Sequence, residues 1–192
     1  MREFGTAYAL IGAVLFDLAL ARKIDTDTEA VHVIDATPTG QPAIDRVLIE
    51  MAGRTDLTVR GWIEELFLRR RDLEGEALGS LIARGVLRHE RSNRLWVIDM
   101  EKFPVVDNRH QQHVKLRLAH AILTDDIPDT RDIMLVSIAE QCGLLEYILS
   151  PSELANRRQR IQVLSNLETI SRKVTAAILN LDAGLRSMTR VG

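Results

Sequence analysis

Cysteine, lysine and aromatic residues are scarce in this 192-residue chain, and no charge of one sign predominates. Cys142 is the only cysteine, so an internal disulfide is excluded and a reducing compartment is favoured. With a formal net charge of −2, the chain has no overall basic field that would attract nucleic acid or a membrane. Any binding of that kind therefore requires a local basic patch.

The chain also lacks a hydrophobic run long enough to cross a bilayer. The longest candidate, Ala7 to Ala21, is interrupted by Asp17 and falls short of the roughly 20 residues that a spanning helix needs. It has neither the basic leader nor the small-residue cleavage site of a signal peptide. We interpret it as a buried helix of a cytoplasmic protein. With 46% hydrophobic residues, a single domain over residues 1–192 can bury a sizeable core.

Motifs for catalysis and cofactor binding are missing as well. The sequence contains no phosphate-binding loop, no dinucleotide-binding glycine pattern, no H-E-x-x-H and no C-x-x-C. The best metal candidates are His110 and His113 with Asp107 nearby, but their spacing on a polar helix face favours ordinary surface residues. We therefore predict no catalytic residue, no metal site and no cofactor, and favour a protein that is not an enzyme over the alternative of a small enzyme that uses the His110/His113 region.

Hydrophobic spacing predicts a mainly α fold, a helical bundle around a central apolar helix. The first helix, Thr6 to Arg22, is apolar almost all round, as expected for a helix covered by others. In the first half of the chain we further predict a short strand near 30–35, a helix over Pro42–Ala52, a helix capped by Thr58, and a helix with Leu78, Leu81 and Ile82 inward and a stop at Gly85. A β-hairpin near 86–99, with its turn at 91–94, and an amphipathic helix over 106–123 follow. The last two predicted elements are a helix over Thr130–Leu149 capped by Asp129 or Thr130, and a helix that starts in a Ser150–Glu153 capping box and continues to about residue 185 with a break near Ser165.

One local basic patch stands out. Between Arg69 and Arg94 the chain has seven arginines against four acidic residues, a net charge of +3. The stretch HERSNRLWVIDM then places Trp96 in an apolar run of four, directly behind a turn that carries arginines. A basic patch beside apolar side chains could bind an anionic surface.

Three interpretations of this patch remain open at the level of the residues. In a winged helix, helix 73–84 would enter the DNA major groove and hairpin 86–99 would contact phosphate, although Glu74 and Glu76 oppose this. In a lipid-binding protein, arginines would hold phosphate while Trp96 enters the membrane interface. Alternatively, Trp96 and Ile98 pack on their own domain and the arginines are solvated surface.

Five ordered motifs resemble those of the Golgi phosphoprotein 3 family. GAVLFDLALARKI (12–24) resembles the family's G-A-x-L-x-E-L-A-L-x-G-R-I helix, and DATPTGQPAIDRVL (35–48) resembles its D-x-P-T-G-D-x-x-L-D-E-x-L turn and helix. TVRGWIEEL (58–66), LIARGVLRHERSNRLWVIDM (81–100) and PDTRDIMLVSIAEQCGLLEYIL (128–149) are similar to three further motifs of the family.

This resemblance implies a non-enzymatic helical protein that binds phosphatidylinositol 4-phosphate on membranes. In eukaryotic members, it implies retention of glycosyltransferases at the cytosolic face of the Golgi and homo-oligomers formed through the hairpin. Partners would be an anionic or phosphoinositide membrane surface and a protein, with no nucleic acid expected. The family's leading strand precedes residue 1, so the chain is expected to be short at its N-terminus.

The same resemblance assigns site residues by position. Arg71 matches the first arginine of the family's headgroup-binding pair, whereas Glu74 occupies the second position. Ile11 stands where the family has an arginine, and the position of the upstream tryptophan falls near Arg2. The expected headgroup-binding residues are Arg69, Arg70 and Arg71, and the expected membrane or oligomer contacts are Arg94, Leu95 and Trp96.

Overall fold

The computed structural model describes residues 5–26, 30–54, 57–91 and 101–167, apart from the side chains of residues 91 and 101. It is mainly helical, as predicted. The elements are α1 Gly5–Leu20, β1 Ile24–Thr26, β2 Val31–Val33, α2 Pro42–Ala52, α3 Val59–Leu68, α4 Arg70–Ala83, β3 Glu90–Arg91, β4 Glu101–Lys102, α5 Arg109–Leu123, α6 Thr130–Gln141, a 3₁₀ turn Leu145–Tyr147, α7 Pro151–Asn156 and α8 Arg158–Ser165.

Helix α1 lies at the centre of the first half of the molecule, as its apolar sequence predicts. It packs against α2, α3, α4 and α6, and its Ile11, Leu15 and Leu18 are almost completely buried. At its start, a Cβ on Gly5 would lie 2.8 Å from the carbonyl oxygen of Cys142. Only glycine therefore permits this close approach between the start of α1 and the end of α6.

The buried apolar residues form two clusters that share α6. Met134, Ile138 and Cys142 on one side of α6 belong to the first cluster, which α1, α2 and α3 complete. Ile133, Val136 and Ala139 on the other side belong to the second cluster, together with residues of α5, the 3₁₀ turn and α8. Helix α6 is thus buried on two faces, which explains its nearly continuous apolar sequence.

Two short antiparallel strands, β1 and β2, follow α1. Ile24 pairs with Val33 and Thr26 with Val31, so the predicted strand near 30–35 is confirmed and acquires a partner that the sequence did not predict. The ammonium group of the buried Lys23 lies 2.5 Å from Oδ2 of Asp35 and donates to Oγ1 of Thr37 at 2.6 Å. The hydrogen bond from Lys23, followed by that from the Thr37 backbone, lowers the pKa of Asp35 to about 2.

The next motif residues hold the start of α2. Asp45 accepts hydrogen bonds from the backbone and hydroxyl groups of Thr39, both at 2.6 Å, and from the backbone of Gly40 at 3.1 Å. These bonds, led by the Thr39 hydroxyl, lower the pKa of Asp45. Gly40 has φ +85°, a left-handed conformation that favours glycine. The D-x-P-T-G part of the resemblance therefore has a structural role in this turn.

Three predicted helix caps are confirmed. Thr58 accepts from the backbone N–H of Gly61, and Asp129 accepts from that of Asp132. Ser150 and Glu153 form the predicted capping box at the start of α7. The helix predicted from Ser150 was wrong in its continuity, because α7 ends at Asn156 and α8 begins at Arg158. Helix α8 ends at Ser165, where a break was predicted, and the predicted continuation to about residue 185 lies outside the described residues beyond 167.

The prediction of one helix over Thr130–Leu149 was wrong. Helix α6 ends at Gln141, and Gly143 adopts φ +69°, the left-handed conformation that commonly terminates a helix. The 3₁₀ turn that follows directs Leu145 into the second cluster. The burial prediction for α4 was also too strong, since Leu73 is its only buried residue and Leu78, Leu81 and Ile82 are half-buried.

A β-hairpin follows α4, as predicted, but its pairing differs from the predicted turn. Glu90 pairs with Lys102 and Arg91 with Glu101, and an isolated bridge joins Leu87 to Val105. A turn at 91–94 would instead have paired residue 90 with residue 95. The observed register places opposite charges across from each other, which stabilises antiparallel pairs.

Candidate functional site

The three predicted headgroup-binding arginines lie at the junction of α3 and α4. Helix α3 ends at Leu68, Arg69 caps both helices, and Arg70 and Arg71 begin α4. The structure therefore brings the three side chains to one corner, as their adjacency in sequence requires. Their surroundings, however, differ strongly.

Arg69 is engaged by an acid of α2. Its Nη1 donates to Oε1 of Glu50 at 2.6 Å, and its Nη2 donates to Oε2 of the same carboxylate, so the ion pair is bidentate. The hydrogen bonds that Arg69 donates to Glu50 raise the pKa of Arg69 above its ordinary value. This guanidinium group joins α2 to the α3–α4 junction, and in this arrangement its charge is already neutralised.

Arg70 is held against an aromatic residue of α3. Its guanidinium carbon lies 4.5 Å from the ring centroid of Phe67, and its Nη1 donates to the Phe67 carbonyl oxygen at 3.0 Å. Phe67 in turn stacks on Tyr8 with 4.9 Å between ring centroids. Arg70 thus packs by a cation–π contact, which favours a fixed position over a free one.

Arg71 differs from both neighbours. It is exposed, and it makes no ion pair or hydrogen bond with any residue that the structure describes. Glu74, which occupies the second position of the family's arginine pair, lies one helical turn further along α4 and is half-buried. Arg71 is the arginine of this junction best placed to bind an external anion, and Glu74 opposes it.

Leu68 is a feature of this corner that the sequence analysis did not single out. Leu68 directly precedes Arg69, and its side chain is 77% exposed. The helical spacing of α3 gave the available signal, because the buried residues Trp62, Ile63 and Leu66 define an inner face that excludes position 68. An exposed leucine therefore lies three residues before the exposed Arg71.

The position of the family's first-helix arginine is part of the core here. Ile11 is 1% exposed and belongs to the first apolar cluster. An arginine at this position would place a charge among apolar side chains, which is costly without a partner. The residues of the headgroup pocket implied by the resemblance thus differ at position 11 as well as at position 74.

The predicted contacts Arg94, Leu95 and Trp96 lie outside the described residues. At the base of the hairpin, Arg88 forms an ion pair with Glu90, and His89 stacks on Phe103 with 5.3 Å between ring centroids. In α4, Glu76 forms an ion pair with Arg46 of α2. Of the arginines in the patch, Arg69 and Arg88 are therefore held in ion pairs, which leaves fewer guanidinium groups available for binding than the sequence suggests.

The remaining candidate residues concern metal binding and membrane crossing. His110 and His113 lie on the exposed first half of α5. The described part of the chain contains no group of three or more His, Cys, Asp or Glu side chains that could hold a metal ion. Within the same ranges, no helix is both long and apolar enough to cross a bilayer.

Comparisons with known proteins agree with the resemblance seen in the sequence. Residues 2–181 match the model of the family described as Golgi phosphoprotein 3 (GPP34). The chain is 27% identical over 186 residues to the vacuolar protein sorting-associated protein 74 of Eremothecium gossypii, a match that covers 79% of this chain. It spans 56% of the length of that relative. On the extent of the family match, the chain belongs to the Golgi phosphoprotein 3 family.

Proposed function

We propose that this protein is a non-enzymatic peripheral adaptor that binds anionic membrane surfaces through the α3–α4 junction. Family membership supports an adaptor, and the name of its relative, vacuolar protein sorting-associated protein 74, supports a role in protein sorting. The resemblance favours phosphatidylinositol 4-phosphate as the lipid and, in a eukaryotic cell, the cytosolic face of the Golgi as the location. Without a membrane, the protein would be cytoplasmic.

The observation that carries this proposal is the presence of Leu68 and Arg71, three residues apart, at the junction. Both side chains are exposed, and Arg71 has no partner among the described residues. An arginine can hold a lipid phosphate by charge-assisted hydrogen bonds while a neighbouring leucine enters the interface. Arg69 and Arg70 contribute by positioning the junction, through Glu50 and Phe67 respectively.

The hairpin supplies the second contact in this proposal. Arg94, Leu95 and Trp96 follow β3 in the sequence and would contact the membrane or a second copy of the chain. Tryptophan suits the interface because its ring is apolar and its N–H prefers a wet partner. A homo-oligomer formed through the hairpin would present several weak lipid sites at once and raise the apparent affinity.

Flotation with vesicles tests the proposal. The full chain should float with phosphatidylcholine vesicles that contain phosphatidylinositol 4-phosphate, and less with phosphatidylcholine alone. Arg71→Glu and Leu68→Asp should each reduce the floated fraction. Arg60→Glu is the matched control, because Arg60 is exposed on α3 but paired with Glu64 at 2.9 Å. Equal flotation of wild type, Arg71→Glu and Arg60→Glu would contradict the proposal.

The DNA-binding alternative has its own measurement. A salt-dependent shift of an arbitrary duplex in a gel, lost on substitution of Arg84 or Arg88, would favour the winged-helix interpretation. We expect no shift, because Arg88 pairs with Glu90 and the first turns of α4 contain Glu74 and Glu76.

A further inference from the structure

A groove of about 910 Å³ lies at the other end of α4, between the C-terminal residues of that helix, the chain around Val105, the first half of α5 and the segment 144–148. Its lining consists entirely of residues that the structure describes. Helix α4 has 14 residues, and at 1.5 Å per residue its two ends are about 20 Å apart. The groove is therefore separate from the α3–α4 junction.

The groove exposes apolar side chains to solvent. Val105, Val114 and Tyr147, which line it, are 50%, 42% and 59% exposed. The reason lies in α5, whose buried residues Leu118, Ala121 and Ile122 all belong to its second half. The first half of α5 therefore extends past the second apolar cluster and forms one wall of the groove. Adjacent exposed apolar side chains of this kind commonly mark an interaction surface.

The charges around this apolar surface have one sign. The lining contains Arg84, Lys115, Arg117, Arg131 and two histidines, and no aspartate or glutamate. Two of these cations are already engaged by other residues: Arg117 donates to Oδ1 of Asp132 at 2.7 Å, and Arg131 lies 3.1 Å from Oδ1 of Asp17.

The remaining cations are available to a ligand. Arg84 is exposed and Lys115 half-buried, and neither has an ion pair or hydrogen bond within the part of the chain that the structure describes. An occupant that complements the groove thus needs an apolar face bordered by negative charges.

The shape of the groove distinguishes between classes of occupant. It is open to solvent rather than enclosed. Pockets for small molecules usually bury most of the ligand, about 70–90% of its surface, whereas a partner helix buries one face and leaves the other in water. We propose that this groove binds an acidic amphipathic helix of a partner protein, with apolar side chains against Val114 and Tyr147 and carboxylates against Arg84 and Lys115. The partner surface and the proposed membrane surface can then be occupied together.

Binding of a synthetic peptide tests this proposal on the full chain. The probe is a labelled helical peptide of roughly 18 residues, five turns, with leucines at i, i+3, i+4 and i+7 spacing and glutamates on the remaining face. We expect it to bind, and we expect a peptide with lysines in place of the glutamates to bind at least about tenfold more weakly, because the groove has no acidic lining. Fluorescence anisotropy measures both affinities.

The chain offers matched controls on the same helix. Val114→Asp should weaken binding of the acidic peptide at least about tenfold, whereas Leu116→Asp should leave it unchanged, because Leu116 is 69% exposed on α5 but does not line the groove. Arg84→Glu should weaken binding, and Arg109→Glu, whose exposed guanidinium pairs with Asp107, should not. Because these positions are at the surface, circular dichroism should show folded variants.

Four outcomes would overturn the proposal. Equal affinity for acidic and basic peptides, or equal losses from Val114→Asp and Leu116→Asp, would remove the claimed complementarity. Absence of peptide binding, with a change of oligomeric state in Val114→Asp on sedimentation, would assign the groove to a second copy of the chain. Vesicle binding that depends on Val114 and not on Arg71 would assign it to lipid. Because the peptide assay contains no membrane, its result is independent of the flotation experiment.

Discussion

The two ends of helix α4 differ in how their arginines are used. At the N-terminal end, Arg69 is paired with Glu50, Arg70 packs on Phe67, and only Arg71 is exposed without a described partner. At the C-terminal end, Arg84 borders an apolar groove that has no acidic lining. A count of charges along the sequence treats both ends alike. The contacts show that available charge, rather than total charge, distinguishes a binding surface from a structural ion pair.

The largest predicted effect concerns position 11 of α1, where the family has an arginine. Ile11→Arg should lower the free energy of unfolding by about 3–5 kcal/mol, because Ile11 is fully buried and the new charge would have no partner. Urea denaturation measures the change. Leu68→Arg, at an exposed position, should change the free energy by less than about 0.5 kcal/mol. A stable Ile11→Arg protein would show that this core position of α1 can accept the family's arginine.

The second prediction concerns Glu74 and sharpens the role assigned to Arg71. Glu74→Arg should strengthen binding to anionic vesicles by roughly 5- to 30-fold, since each added positive charge near the surface contributes about 1 kcal/mol. The control is Asp126→Arg, an equal change of charge at an exposed loop position in the other half of the molecule. If both variants gain equally, the effect reflects net charge, and the α3–α4 junction has no special role.

A smaller effect distinguishes Arg69 from Arg71. In a double-mutant cycle of Glu50→Ala and Arg69→Ala, we expect a coupling of about 1 kcal/mol or less in the free energy of unfolding, because both side chains are partly exposed. The exposed pair of Arg60 and Glu64 should give about 0.3–0.5 kcal/mol. Arg71→Ala should leave stability unchanged. A loss of stability in Arg71→Ala equal to that in Arg69→Ala would remove the distinction between the two residues.

The smallest effect provides a reference from the β1–β2 region, which is remote in sequence from both ends of α4. Hydrogen bonds from Lys23 and Thr37 lower the pKa of Asp35 from 3.8 to about 2. A lowered pKa stabilises the folded state above the unfolded pKa, and this contribution disappears as the pH falls from about 4 through 2. Asp35→Asn should therefore be less stable than wild type at neutral pH and should lose less stability between pH 4 and pH 2. Parallel curves of unfolding midpoint against pH would contradict this assignment.

Local features of the fold were predictable from the sequence because local chemistry determines them. Pro42 at the start of α2, the hydroxyl cap of Thr58 and the Ser150–Glu153 capping box each act within one helical turn. The five family motifs likewise led to the correct family. Helix α6 was predicted too long because the apolar sequence continues past Gly143, whereas the helical backbone ends before this glycine, which has a positive φ.

The contacts within the candidate sites join distant segments of the chain, and for that reason the sequence did not reveal those contacts. Glu50 and Arg69 are 19 residues apart and meet because α2 packs near the α3–α4 junction. The groove is formed by four separate segments of the chain. Its exposed valines and the absence of acidic residues from its lining therefore leave no recognisable motif in the sequence. The resemblance named Arg71 together with Arg69 and Arg70 as headgroup-binding residues, and only the structure distinguishes their surroundings.

The two-sided burial of α6 has a consequence for how the molecule unfolds. Met134 and Ile138 belong to one apolar cluster, and Ile133 and Val136 belong to the other. If the residues around either cluster unfolded, one apolar face of α6 would be exposed to water, and the other cluster also depends on α6. The described body should therefore melt as one cooperative unit, with no stable intermediate that keeps only one half. A fragment that ended before α6 would leave α1 without one of its walls and would tend to aggregate.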